Sequence, residues 1–476
     1  MNISRRHFIS GALATGTVFP AEVSARTTDK IRLRIGVLSD IHIEGPKARS
    51  VGKFERALRY FDRRKADGVL ISGDLADNGV EPQLRHLAEI WEKVFPGGRR
   101  SDGEPVTRLF HYGDHDTGGY AHTNDFFHSH DNLKRVYNAT DEQIASWVIA
   151  DHRAEIWERV FGERFEPIVL KTVKGYDFIL AHWTKQGNDS LGGCATPGLE
   201  EFFRTHVKNN GGRPFFYSQH RIPRDTACGS GTWGQDAGRD NSVFARYSNL
   251  LVFCGHGHKN AFADNSFWQG SFACVETPSL NYVGQNDHGE HKWGPKVNEN
   301  AAEQGLFMTV TDKMLFLERL DLKSGRSLGD TWRVPLAANG SFAAKPYAPY
   351  ERIRHARIPQ FATGSVAHLT ADAKDNALAL SFPSVPASRD PPRAYDYKVT
   401  VDSHRFFGGN VERQEFYVFS PHCIDAADDD VCEIVCKIPY AALEVNGKKP
   451  IHVHVSVRPR GCDEQLGLPI EAECDV

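Results

Sequence analysis

The sequence is short of several things, and each shortage removes a class of protein. Nine cysteines in 476 residues are too few for a disulfide scaffold, and an odd number leaves at least one unpaired within the chain. No two are spaced Cys-x-x-Cys, which excludes a thioredoxin-like redox motif and speaks against a zinc ribbon. No segment offers the roughly 18 uninterrupted apolar residues of a membrane span, so no transmembrane span is expected in the mature chain. There is no basic excess: 57 Lys+Arg against 61 Asp+Glu leave a net charge of −4, which gives no strong signal for a nucleic-acid binder. No internal repeat or low-complexity tract is present. What remains is ordinary for a folded chain, 40% hydrophobic and 25% charged, and long enough for two domains or one large decorated one. Histidine stands out at 22 residues, which directs attention to metal and acid–base chemistry.

The first 25 residues read as an address. Arg5-Arg6 precedes a weakly apolar, small-residue stretch from Gly11 to Phe19, and Val23-Ser24-Ala25 ends it with small residues where a signal peptidase cuts. This order of charge, apolar stretch and small-x-small pattern is that of a twin-arginine (Tat) export signal. It predicts passage through the Tat translocase to a periplasmic or extracellular location.

Beyond it, buried-strand patterns at 31–41, 69–74 and 109–114 alternate with helical spacing at 54–61 and 82–95, a β-α-β-α-β beginning that argues for an α/β sheet. Further strands are expected at 167–173, 176–182, 213–219 and 249–254. Helices are expected near 141–160, 197–208 and 240–248. Residues 261–320 read as strands and loops. Residues 337–351, with five Ala and two Pro, read as a linker. After it come short β-like runs at 377–382, 397–401, 416–419, 431–436 and 451–457, as in a small β-sandwich of the fibronectin type III kind. Cys423, Cys432, Cys436, Cys462 and Cys474 fall there, and one or two disulfides among them would suit an oxidising compartment. Cys432 and Cys436 are too far apart along one strand to pair with each other. Cys254, at the end of a buried strand, reads as core.

Oxygen and imidazole ligands follow these strands in order: Asp40-Ile41-His42, Gly73-Asp74-Leu75-Ala76-Asp77-Asn78, Gly113-Asp114-His115-Asp116, His220 after an apolar run, and Gly255-His256-Gly257-His258. Each alone is weak. Together, each beside flexible glycine or just past a buried strand, they are what a metal site at the carboxyl edge of a sheet requires.

With these motifs on the page, the chain resembles the calcineurin-like metallophosphoesterases from about residue 31 to 320. That resemblance implies an α/β (α+β) fold, a four-layer metallophosphoesterase β-sandwich flanked by helices over 26–336; the linker 337–351 and the small all-β sandwich over 352–476 read from the pattern follow it. It implies two divalent or trivalent metal ions (Mn, Fe or Zn). Asp40, His42 and His258 would hold the first, His220, His256 and Asp114 the second, and Asp74 would bridge them. It implies a dinuclear-metal phosphatase or phosphodiesterase in which a metal-bridging hydroxide attacks phosphorus. His115 would serve the leaving group, oriented by Asp77, with Asp116 as the second choice for a supporting carboxylate. The substrate would be a phosphate-ester small molecule or lipid headgroup. Two positions depart from the family pattern. Asp114 stands where the family has asparagine, adding a negative charge beside an anionic substrate. Asn78 stands where one branch has a phosphate-gripping arginine.

His111, His182, the loop His288–Trp293, Lys185, Arg221 and Lys259 lie near the motifs and could reach a substrate, although a solvated or second-layer role fits each at least as well. The rival to the enzyme reading is a metal-loaded but catalytically idle protein whose β-sandwich recognises a surface partner or glycan.

Overall fold

The computed structural model describes residues 29–122, 130–183, 196, 198–207, 212–284, 292–295, 298–372, 374–386, 393–405, 411–423, 431–445 and 448–476. The proposed export signal, Lys185 and most of the loop 288–293 lie outside the described residues.

The first body has two facing sheets. In chain order its strands are β1 (Ile31–Leu38), β2 (Gly68–Ile71), β3 (Thr107–Phe110), β4 (Ile168–Val173), β5 (Tyr176–Ala181), β6 (Phe215–Ser218), β7 (Leu250–Cys254), β8 (Phe267–Gln269), β9 (Ala273–Glu276), β10 (Gln304–Thr311), β11 (Met314–Asp321), β12 (Arg326–Ser327) and β13 (Trp332–Pro335). One sheet runs β12-β11-β10-β1-β2-β3, with β13 also on β11; the other runs β4-β5-β6-β7-β9-β8. The strands β1, β2 and β3 are parallel, as are β5, β6, β7 and β9, while β10 to β13, β4 and β8 pair antiparallel.

Alternation sorts the side chains into layers. From β1, Leu33, Ile35 and Val37 meet Phe216 of β6 and Leu251 and Phe253 of β7 in the core between the sheets. The opposite faces bury Phe215, Tyr217, Leu250, Val252 and Cys254 against the helices Leu199–His206 and Asn241–Phe244. The outer face of the first sheet is covered by α1 (Arg49–Arg63) and α2 (Glu81–Val94). The result is helix, sheet, sheet, helix, the four layers expected. Helix α1 turns Phe54, Ala57, Leu58 and Phe61 inward at three- and four-residue spacing. Gly36 on β1 leaves room for the Phe61 ring, with which any Cβ there would collide. The same helix sends the buried Lys53 Nζ to the carbonyls of Asn281 (2.5 Å), Asn300 and Ala302 (2.7 Å each), tying down the chain just after β9. Burial pushes the Lys53 ammonium down to about 8.

Two element boundaries differ from expectation. The helical pattern at 141–160 is two helices, Asp141–Trp147 and Arg153–Phe161. Val148 between them is extended and bridges Val80, a tertiary contact that outweighs local periodicity. At 240–248 only Asn241–Phe244 is helical.

After β13 the chain does not leave the first body at once. Phe342 and Tyr347 pack onto the inter-sheet core, Tyr347 stacking on Phe267 at 4.5 Å. The helix Pro349–His355 follows. The remaining strands are β14 (His368–Asp372), β15 (Ala377–Pro383), β16 (Asp396–His404), β17 (Val411–Phe419), β18 (Glu433–Pro439), β19 (His452–Arg460) and β20 (Ile470–Asp475). They form two all-antiparallel sheets, β14-β15-β18 and β17-β16-β19-β20, around a core of their own. The edge strands β14 and β20 are too exposed to carry a clear hydrophobic signal, which is why the sequence pattern misses them. Cys432, Cys436, Cys462 and Cys474 are free thiols, so the disulfides considered for this region are not formed among them. Cys254 is fully buried, as expected of a core residue. Among the described residues no helix is long and apolar enough to cross a membrane.

Removing the α1 anchor tests this packing. Phe61→Ala is expected to cost about 3–5 kcal/mol, read as a lower denaturant midpoint; a shift under about 1 kcal/mol would mean that the helix does not seal the sheet through this ring.

Candidate metal centre

Every candidate ligand lies just beyond the carboxyl end of a strand. Asp40 and His42 follow β1, Asp74 follows β2, Asp114 follows β3, His220 follows β6, and His256 and His258 follow β7. The two sheets meet here. Leu280 N donates to Ser39 O at 3.0 Å across the junction, and within the second sheet Gly255 N donates to His220 O at 2.7 Å. Two groups result, Asp40-His42-Asp74-His258 and Asp74-Asp114-His220-His256, the ligand atoms of each lying within 4.8 Å of one another. Asp74 belongs to both.

Each loop turns sharply to aim its side chain inward. Asp40, His42, Asp74, His256 and His258 all have positive φ, from 48° to 70°, a region that costs non-glycine residues about 1–3 kcal/mol each when held there. Gly113 provides a close approach, since a Cβ on it would collide with Asp74 Oδ1 and N.

Hydrogen bonds behind the histidines fix which nitrogen faces the centre. His220 Nδ1 meets Ser72 O at 2.8 Å, and His258 Nδ1 meets Tyr282 O at 3.0 Å. A carbonyl only accepts, so these Nδ1 atoms carry the proton and each Nε2 presents a lone pair. His42 Nδ1 lies 3.1 Å from Asp77 Oδ1, with the same consequence. His256 is reversed: its Nδ1 lies 3.1 Å from Asp114 Oδ1. The inward atoms then crowd one another. His42 Nε2 and His258 Nε2 are 3.3 Å apart. His220 Nε2 is 2.8 Å from Asp114 Oδ1 and 3.1 Å from Asp74 Oδ2, yet none of these last three buried atoms has a hydrogen bond of acceptable geometry. Acceptor atoms gathered without donors are costly alone and are what cations satisfy. Mixed carboxylate and imidazole donors fit Zn, Mn or Fe.

The electrostatics agree. Burial alone would raise Asp40, Asp74 and Asp114, but the surrounding histidines outweigh it and hold all three below the usual carboxylate range. His115 is half-buried beside the second group. Burial opposes its charge, but Asp74, Asp114 and Asp77 overcome this and raise it to about 9; bound cations would cancel part of that field. Its Nδ1 meets the backbone oxygen of Asp77 at 2.8 Å, whereas the Asp77 carboxylate is 3.8 Å away.

Asp116 sits beneath the centre. Its carboxylate accepts from Gly113 N (2.7 Å), Ala76 N (2.7 Å) and Leu75 N (3.1 Å), joining the loops after β2 and β3. Burial and neighbouring Asp74 push it up to about 7 against those three bonds. Asn78 is engaged by Gln83, whose amide donates to Asn78 Oδ1 at 2.9 Å. His111 and His182 are core residues: His111 bonds Ser218 Oγ at 2.8 Å and is pushed by burial to about 4, and His182 packs among Tyr112, Trp157 and Phe165. Lys259 is buried behind the centre, its N–H on Glu276 at 3.2 Å. Arg221 lies over the Trp183 ring, 5.2 Å from its centroid. Sequence reasoning missed Tyr282, whose carbonyl orients His258 and whose ring lies 4.2 Å from it. It also missed Ser72, which acts through its carbonyl. Backbone acceptors leave no mark on residue type.

Asp116→Ala would leave three buried N–H groups without an acceptor. It is expected to lower metal affinity about 10- to 100-fold, measured by chelator competition; unchanged affinity would show that the two loops hold their places without it.

No curated protein matches the chain. Among solved structures it is similar to a dimetal phosphatase from Danio rerio, at 8% identity over 64% of this chain and 99% of that one, with a TM-score of 0.37. It is also similar to a purple acid phosphatase from yellow lupin (Lupinus luteus) seeds, at 13% identity over 67% of this chain and 56% of that one, with a TM-score of 0.40. The profile of the calcineurin-like phosphoesterases matches residues 33–260, which takes in all five motifs. Over residues 33–260 the chain carries the pattern of the calcineurin-like phosphoesterases, which supports a metal-dependent phosphoesterase.

Proposed function

We propose that the chain hydrolyses phosphoric esters at a dinuclear centre. Asp40, His42 and His258 would hold one cation, Asp114, His220 and His256 the other, with Asp74 shared. The observation that carries this is the pair of four-residue groups with one carboxylate in common. When bound, two cations supply Lewis-acid charge for the phosphoryl oxygens and acidify a water.

The chain's own residues do the rest. Ser72 and Tyr282, through their carbonyls, and Asp77, through its carboxylate, keep three imidazoles in the metal-binding tautomer. Asp116 locks the loops that carry Asp74 and Asp114. His115 N–H donates to Asp74 Oδ1 at 2.9 Å, which couples its position to the shared carboxylate. With Nδ1 committed to the Asp77 carbonyl, His115 Nε2 is the atom assigned to the leaving-group proton.

The twin arginines and the segment through residue 25 support export by the Tat translocase to the periplasm or beyond. The separate C-terminal core supports a division into 26–336, a connecting stretch over 337–351, and 352–476. A three-strand sheet facing a four-strand one supports the fibronectin type III-like reading of the last part.

The test is a panel of phosphomonoesters, diesters, nucleotides and phospholipid headgroups, offered to protein loaded with Mn, Fe or Zn. Turnover is expected for at least one ester. His115→Ala should lower kcat about 10²- to 10⁴-fold with metal content and circular dichroism unchanged. No turnover under any loading, or full activity in the variant, would overturn the reading. Asp114→Asn removes one negative charge from the second group, and weaker metal retention is expected in dialysis against chelator. Unchanged retention and kinetics would show that the added charge at position 114 does not set metal holding.

A further inference from the structure

Trp233 is 63% exposed and, among the described residues, is the most exposed tryptophan. Its indole lies almost parallel to the His256 imidazole, with centroids 4.9 Å apart and an interplanar angle of 17°. One face of the ring therefore covers a metal-ligand candidate and the other faces water at the edge of the centre.

The loop that carries the ring is braced on both sides. Thr232 Oγ1 donates to Cys228 O at 2.7 Å, and Gln235 Nε2 to Gly229 O at 2.6 Å. Ile222 N donates to Gly234 O at 3.3 Å, and Asp236 N returns to Ile222 O at 2.8 Å. These bonds fasten the loop to the segment just after His220. Gly234, at φ +92°, allows the close approach: a Cβ there would sit 3.3 Å from both Gly257 Cα and His256 Cδ2. A large planar surface, fixed before any ligand arrives, loses little freedom on binding.

Trp233 has a partial counterpart. Tyr282 covers His258 and His42 at 4.2 and 5.5 Å, but it is half-buried. Among the described residues, an aromatic face remains available beside the place assigned to phosphate on the His256 side.

We propose that Trp233 is a stacking platform that selects phosphoric esters bearing a planar aromatic group, an aryl ring or a nucleobase, joined to phosphorus through the ester oxygen or a short linker. Anchoring of the phosphate end rests on the phosphoesterase reading above; selection of the other end rests on Trp233. Stacking tolerates any flat π system, so the ring chemistry is common to both sources and the experiment separates them.

Binding of phenylphosphonate, a nucleoside phosphonate and methylphosphonate to the metal-loaded protein would be measured by calorimetry, which needs no turnover. At least one aromatic ligand is expected to bind about tenfold or more tightly than methylphosphonate, and whichever gains more identifies the source. Trp233→Ala and Trp233→Leu should each reduce that ratio toward one, while Trp233→Phe keeps most of it. The leucine variant retains apolar bulk over His256, so a loss there is a loss of the π face. A ratio near one in the wild type, or a ratio unchanged in both variants, overturns the proposal and leaves Trp233 as a shield for His256. If methylphosphonate binds in that case, the phosphoesterase reading stands; if none of the three binds, both fail together.

Discussion

Three carboxylates, Asp40, Asp74 and Asp114, point into one small space between two sheets, and much of the surrounding structure serves to keep them there. Two like charges 4 Å apart repel by about 4 kcal/mol at an effective dielectric constant near 20, a load comparable with the whole stability of a marginal domain. Without cations, four histidines carry that load, which is why the carboxylates stay acidic although buried. With cations, the same imidazoles become ligands, and the outer nitrogens of three of them, His42, His220 and His258, are already committed to acceptors that enforce this.

The architecture follows from that constraint. A single sheet edge offers strand ends side by side. Two sheets packed face to face, here through Val37, Leu70, Phe216 and Phe253, bring strand ends from both into one place. The first sheet contributes Asp40, His42, Asp74 and Asp114, and the second His220, His256 and His258. Left-handed backbone at five of these seven positions is tolerated because the loops are over-determined. Asp116 binds three backbone amides, Lys53 binds three carbonyls, and Ser39 is bonded across the junction. The strain is local and the support is distributed, as expected where a site is held ready for its ligands.

What could be read from the sequence divides along the same line. The buried strands, the order of the motifs and every residue of the two four-membered groups were legible, because buried parallel strands are near-continuous apolar runs and their ends carry unusual Asp, His and Gly. The roles behind the ligands were less so. Asp77 reads as a partner for His115, yet its carboxylate lies closer to His42 and it meets His115 through its backbone oxygen. His182 ends a strand as the ligands do, yet it turns into an aromatic cluster. The helix expected at 141–160 is broken by a contact with Val80. Trp233 has no motif at all; its significance comes from a loop that returns to His256 across the fold. Periodicity and motif spacing record what a residue does along the chain, and these features are set by what meets it from elsewhere.

The most direct measurement is anomalous X-ray diffraction from crystals of the metal-loaded protein, recorded at the absorption edge of the bound element. Two peaks should flank the Asp74 carboxylate, one beside Asp40, His42 and His258 and the other beside Asp114, His220 and His256. A single peak that leaves either group without metal, or two peaks that do not share Asp74, would contradict a dinuclear centre built on these residues.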